Sequence, residues 1–342
     1  MADPGSQPSS RGISGALPVT SALLAVLASV VVAVPAQAAT TPVAASASTV
    51  PGTSCPMFPA NNWWHADISR LPRNRMSAAW LGRMGAASRR LHPDFGPSWG
   101  EQPVPYGIPI TVVRRAPTVP VVFEYADESD RVGYPLNVRT LIEGGWNATG
   151  DRHAIVIDAA TCRLYETWNT RLVGRRWTAG SGATWSLLNN NLRPASWTSA
   201  DAAGLPILPG LLRYDEVLAG RVDHAIRFTT NRTSRAYVWP ARHQAGATND
   251  ATYPPMGARF RLKASYSTAG YSAQARTVLK AMKTYGLVLA DNGSPWYFQG
   301  TSDTRWRNGL IDELKRIPAS AFEAVDTSSL KVSANSAAVR PR

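Results

Sequence analysis

From Ile108 onward the chain alternates apolar and polar positions in short runs broken by Pro, Gly, Asn and Ser, the pattern of half-buried strands joined by turns. Ile108–Arg114 and Val119–Tyr125 read as one hairpin across Ala116, Pro117 and Thr118. His153–Asp158 and Cys162–Trp168 read as a second, in which strict alternation puts His153, Ile155 and Ile157 on one face and Ala154, Val156 and Asp158 on the other. A third pair is expected from His224–Thr229 and Arg235–Trp239 around Asn-Arg-Thr-Ser, with further strands at Arg259–Ser265, Leu287–Ala290 and Trp296–Gln299, the last two flanking Asp-Asn-Gly-Ser. Helical spacing is confined to Ser77–Arg90, a turn at Tyr214–Ala219, Ser272–Tyr285 with Gly286 as its stop, and Thr304–Arg316. The stretch from Thr178 to Gly210 is loop-rich, yet too full of Trp and Leu to be a linker. Strands paired by turns, without alternating crossover helices, predict a mainly β fold: an antiparallel β-sandwich or jelly roll with a few peripheral helices. No internal repeat points to a propeller or solenoid.

The N-terminal pattern is different. A polar leader containing Arg11 runs into the apolar stretch Ala16–Val34, and Ala36-Gln37-Ala38 supplies the small-x-small site of a signal peptide, so residues 1–38 are expected to be removed on secretion. A membrane anchor is the competing reading of that stretch; the small-residue site and the polar Ala/Thr/Ser segment behind it favour cleavage, and no later segment is apolar enough to span a bilayer. Residues 39–54 then read as a flexible leader, 55–327 as one β-rich domain and 328–342 as a disordered tail, the first and last because they lack the apolar surface that offsets ordering entropy. The chain has two cysteines, Cys55 and Cys162. In an oxidising compartment a disulfide between them is favoured over two buried thiols, and closing so long a loop is worth roughly 4–5 kcal/mol in the chain-entropy model.

Charge changes the picture less than its size suggests. The net charge is +13, and all but five of the 36 basic residues are arginine, spread along the chain rather than gathered in a block. That balance suits an acidic polysaccharide or cell-wall polymer, although it also follows from GC-rich coding; without a nucleic-acid fold signature it gives no reason to expect DNA or RNA.

Histidine marks the candidate chemistry, because its ordinary pKa lies nearest neutrality. Asp151, Arg152 and His153 enter the second hairpin together, and Tyr165 and Glu166 lie on its partner strand. A carboxylate pair there suits glycosidic hydrolysis, while His and Tyr with Arg suit elimination beside a uronate; a strand-end histidine merely bonded to Asp151 is the structural alternative. His224 and His243, with Arg227 and Arg242 nearby, repeat the theme at two further strand ends, and a metal site would need a third ligand such as Asp223 or His153. No HExxH helix and no GxSxG elbow is present. Glu124, Asp127, Glu128 and Asp130 in FEYADESD form either a solvated turn, a calcium site or an acid/base pair. Trp239 is one of several tryptophans at turns and strand ends where an aromatic face can stack on a sugar ring.

The strings GDRHAIVID, CRLYETW, RPASWTSADAAGLPILPGLLRYDEV, DHAIRF, YVWPARH, PPMGARFRLKASY and YGLVLADNGSPWYF resemble a family of uncharacterised secreted proteins from actinobacteria and other soil bacteria, over about Cys55 to Asp326. The resemblance implies one domain and assigns no activity. The sequence thus leads to a secreted polysaccharide-active enzyme, hydrolase or lyase, whose expected catalytic set is His153, Glu166, His224 and Asp201. Arg152, Tyr165, Arg227, Trp239, Arg242 and His243 are expected to bind substrate, with no cofactor unless calcium sits near Asp127, Glu128 and Asp130. A non-catalytic carbohydrate- or cell-wall-binding protein is the alternative.

Overall fold

The computed structural model describes residues 49–98 and 106–340, so the expected signal peptide and most of the expected leader lie outside the described residues. Among the described residues thirteen strands fall into three sheets with four α-helices around them, a β-rich fold. Four strands, β2 (Ile110–Val113), β4 (Ala154–Asp158), β5 (Arg163–Trp168) and β8 (Ser181–Ser186), form one sheet in that order. Its centre is the hairpin legible from alternation, with Ile155 opposite Glu166 and Ile157 opposite Leu164. Ile155 and Ile157 pack into the main core, whereas Ala154 and Val156 pack into a second cluster with Phe123, Tyr134 and Trp177. The sheet is therefore covered on both faces.

The second cluster is closed by a small sheet of β3 (Val121–Phe123), β7 (Arg176–Ala179) and β6 (Arg171–Val173). The hairpin expected between β2 and β3 does not form: β2 runs parallel to β4 and β3 parallel to β7. Pro117 and Pro120 remove two backbone donors from the connection, which separates the two strands into different sheets.

The largest sheet holds six strands, β1 (His92–Asp94), β12 (Tyr297–Gln299), β9 (Ile226–Thr230), β11 (Leu287–Asn292), β10 (Arg259–Leu262) and β13 (Phe322–Val325), again in spatial order. It is mixed, with β1 parallel to β12 and β9 parallel to β11, so the purely antiparallel pairing of the expected sandwich is corrected. Arg235–Trp239 is no strand, because both edges of β9 are already taken by β11 and β12. Tyr237 makes only an isolated bridge to Met256. Under this sheet Trp296 packs against Phe228, Phe260 and Phe322 at centroid distances of 5.5, 6.0 and 5.7 Å. The helices are α1 (Ser77–Arg83), α2 (Tyr214–Leu218), α3 (Ala273–Thr284) and α4 (Asn308–Lys315). The Ser272 hydroxyl caps α3 by accepting from the Ala275 N–H, and Val278, Leu279 and Met282 form its buried stripe.

Cys55 and Cys162 are disulfide-bonded, tying positions 107 residues apart with their Cα atoms at 5.3 Å. The described parts of two segments expected to be loose, 49–54 and 328–340, are ordered. Val50 is buried, and its N–H donates to the Cys55 carbonyl. Residues 328–340 pack back on the domain: Leu330 and Ala337 are buried, Ala337 accepts from the Trp63 N–H, and its own N–H donates to Asn190. Backbone pairing supplies there what the apolar content of the tail does not.

Candidate functional site

The carboxyl ends of the parallel pair β9 and β11 open beside the start of β4, and the gap between the sheets is a cleft. Its deeper part, a cavity of about 210 Å³, is lined by Asp94, Glu143, Asp151, His153, Arg227, Asp291, Tyr297 and Gln299 among others. A second hollow of about 330 Å³ adjoins it through the shared residues Asp151, Asp291 and Asn292, and brings in Tyr125, Trp168, Glu128 and His243.

Register explains why Asp291 reaches this place. Val288 pairs with Arg227 and Leu289 with Phe228, but the next partner of β9, Thr229, faces Asp291 because Ala290 is an extra residue. Strict alternation would turn Asp291 to the side of Leu289; the bulge returns it to the face carrying Arg227. The Arg227 Nη2 lies 3.9 Å from the Asp291 carboxylate. That guanidinium is itself held bidentately by the fully buried Asp201, at 3.2 and 3.0 Å. Burial, then the neighbouring Asp201 charge, push the Asp291 carboxyl up to about 7 against the opposing pull of Arg227. Asp291 is thus poised to carry a proton near neutral pH.

His153 and Glu143 lock each other. Nδ1 of His153 meets the Glu143 carboxylate at 2.6 Å and its Nε2 meets the Ala200 carbonyl at 3.2 Å, while the His153 N–H donates to the same carboxylate at 3.2 Å and the Glu143 N–H donates to the His153 carbonyl. Both ring nitrogens face acceptors, so both carry hydrogens and the ring is an imidazolium. Burial opposes that charge, but Glu143 outweighs it and holds His153 at about 9. Burial likewise opposes ionisation of Glu143, and His153 reverses it, keeping that carboxyl below its ordinary range. One cleft therefore holds a carboxylic acid and a fixed carboxylate.

At the far wall Asp94 accepts from the Tyr106 hydroxyl and from Gln299 Nε2, and Tyr297 stacks on His92 with ring centroids 4.0 Å apart. At the outer hollow the indole of Trp168 donates to Asp151 at 3.2 Å and lies on Gly180, where a Cβ would meet the ring at 2.1 Å. Glu128 accepts from the Thr198 N–H, and Nδ1–H of His243 donates to the Ala202 carbonyl at 2.8 Å, with its Nε2 3.7 Å from Glu128.

Of the residues expected from sequence to act in catalysis or substrate binding, His153, Arg227 and His243 line the cleft, and Asp201 stands behind it, acting through Arg227. The others are elsewhere. Glu166 is fully buried and accepts the Ile207 and Leu208 N–H groups at 2.8 Å each, anchoring a loop instead of meeting solvent. His224 precedes the amino end of β9, opposite the cleft, and is fully buried between the Ala225 carbonyl and Glu216, which also pairs with Arg213. Arg152 donates to the carbonyls of Thr170, Gly145, Trp146 and Ala148, tying down a loop. Tyr165 packs edge-on against Tyr134 in the second cluster. Trp239 and Arg242 hold the C-terminal tail through Ser336, Ala334 and Asn335.

Two of the carboxylates considered for calcium are partnered within the protein. Asp130 pairs with Arg193 at 2.7 Å and accepts from the Thr184 N–H, Glu128 turns to Thr198, and Asp127 is exposed beside a broad hollow of about 780 Å³. Asp130 and Glu128 thus serve separate partners, and among the described residues no three His, Cys, Asp or Glu side chains are grouped to hold a metal ion.

Sequence reasoning missed Asp94, Glu143, Asp291 and Gln299. Asp-Asn-Gly-Ser had the composition of a hairpin turn, and the usable signal was its position directly after an apolar strand, where parallel sheets place ligand-binding groups. Glu143 lay ten residues before His153 in the chain, in the turn-rich IEGGWNATG, with nothing to pair it to the ring. Comparison with protein-family models, with curated proteins and with solved structures gave no match, so the functional reading rests on this geometry.

Proposed function

We propose that the protein is a secreted glycoside hydrolase acting on a polysaccharide, with Asp291 as general acid and Glu143 as the ionised carboxylate that activates water or attacks the sugar. The observation that carries this reading is the pushing apart of two carboxyls in one cleft: Asp291 is raised to about 7, while Glu143 is kept low by His153. In the reaction Asp291 gives its proton to the glycosidic oxygen as the bond to the anomeric carbon breaks. Glu143 supports the positive charge that develops there. Arg227, itself fixed by Asp201, keeps the Asp291 side chain in place and helps it carry the charge left after proton transfer. Tyr125 and Trp168 in the outer hollow offer apolar ring faces for a neighbouring sugar, and two adjoining hollows suit a chain rather than a monosaccharide. Elimination fits less well. It needs a free cation to neutralise a uronate, whereas His153 is engaged by Glu143 and Arg227 by Asp201. Secretion is supported by the disulfide and the expected signal peptide.

A panel of polysaccharides, read for new reducing ends and for the absorbance of unsaturated uronates, tests the reading. Reducing ends without unsaturated product are expected. Asp291→Asn should lower kcat by about a hundredfold or more with the thermal midpoint nearly unchanged, the usual scale for losing a positioned acid. Binding without turnover would make the protein a carbohydrate-binding module, and unsaturated uronates would make it a lyase.

A further inference from the structure

The inner cavity that Asp291 lines also asks for a hydrogen-bond donor, at Gln299. Gln299 is only 5 % exposed, and its Nε2 donates to Asp94 at 3.2 Å. A carboxylate only accepts, so this bond fixes which end of the amide is nitrogen, and the other end must be the carbonyl oxygen. That oxygen, Oε1, is buried without a partner among the described residues. A buried acceptor left unpaired destabilises its surroundings, and a ligand donor would recover that loss.

The charge around it has the same sense. Asp94, Glu143, Asp151 and Asp291 line the cavity, and its two cations are already committed, His153 to Glu143 and Arg227 to Asp201. The protein as a whole carries +13, yet this cleft is acidic. A polyuronate, which the overall charge would attract, meets repulsion here. A neutral hydroxyl offers one donor; a sugar ammonium offers three donors and a positive charge, enough to bridge Asp94 and the Gln299 carbonyl together.

We propose that Asp94 and Gln299 form a subsite for the ammonium of an amino sugar, so that the substrate class is a glycan bearing free amino groups. The inference rests on the hydrolase reading for the step that follows binding, but the preference itself is a property of binding alone.

Calorimetric titration with oligosaccharides of glucosamine and of galactosamine, each against its fully N-acetylated counterpart, tests it at a pH where the amines are protonated. At least one free-amine chain is expected to bind roughly tenfold tighter than its acetylated form, the scale of one charge-assisted bond. Asp94→Asn should erase that difference while leaving affinity for the acetylated chain near its original value, which also shows that the variant is folded. Equal or tighter binding of both acetylated chains, or a preference that survives Asp94→Asn, overturns the assignment. Reducing-end release from the same samples separates the two claims: preference without cleavage keeps the subsite and removes the hydrolase, whereas cleavage of acetylated or neutral chains alone keeps the hydrolase and removes the subsite.

Discussion

At the residue scale, the His153–Glu143 pair has a consequence for stability that does not depend on any substrate. His153 is raised from 6.5 to about 9 in the folded protein because Glu143 overcomes burial. A raised base binds its proton more tightly in the native state, so its contribution is complete below the unfolded value and is lost as pH climbs through the folded one. The window is therefore pH 6.5 to 9, with stability falling as pH rises by at most roughly 3 kcal/mol. Thermal melts across this window should show the fall in the native protein and a much flatter profile in His153→Gln; parallel profiles would remove the ion pair as a stabilising element. The importance of His153 was legible in the sequence because its neighbours alternate. Its partner was not, since Asp151 stood nearer in the chain while Glu143 is the residue that meets the ring.

At the scale of elements, local pattern was readable and pairing was not. Alternation in AIVID and RLYETW carries the β4–β5 hairpin, because a two-sided sheet separates Ile155 and Ile157 from Ala154 and Val156. The parallel pairings of β2 with β4 and of β9 with β11 join segments distant in sequence, where no turn residue announces a register. The bulge at Ala290 is of the same kind: it is defined only against β9, so the side on which Asp291 emerges could not be read from β11 alone. Where an element ends, however, one residue can decide. Gly286 joins α3 to β11 with φ +75°, and a Cβ there would lie 2.2 Å from the Phe260 carbonyl oxygen. Gly309 in α4 has nothing within 4 Å of the same built atom. The same substitution should consequently have opposite signs: Gly286→Ala lowers stability by more than about 1 kcal/mol, while Gly309→Ala raises it by up to about 1 kcal/mol. Urea midpoints of the two variants check this, and destabilisation of equal size at both positions would discount the backbone argument.

For the molecule as a whole, the C-terminal tail is a structural member that composition concealed. Its Ala, Ser and Val residues bury little, but its backbone answers groups far away in sequence. Arg242 donates to the Ala334 carbonyl at 2.8 Å and to Asn335 at 3.1 Å, the Trp239 indole donates to Ser336 at 3.0 Å, and the Trp63 N–H donates to Ala337 at 2.8 Å. Removing residues 328–342 would leave the buried Arg242 guanidinium without these acceptors, a cost of several kcal/mol once the lost packing of Leu330 is added. Much of that penalty belongs to the orphaned charge rather than to the contacts themselves. In the truncated chain Arg242→Leu should therefore restore part of the stability, although the same substitution in the full-length protein should lower it. Denaturant unfolding of the four proteins in this cycle measures the coupling. Additive effects would mean that the tail acts only by covering apolar surface, and an unchanged midpoint on truncation would mean that its ordered path contributes nothing to the fold.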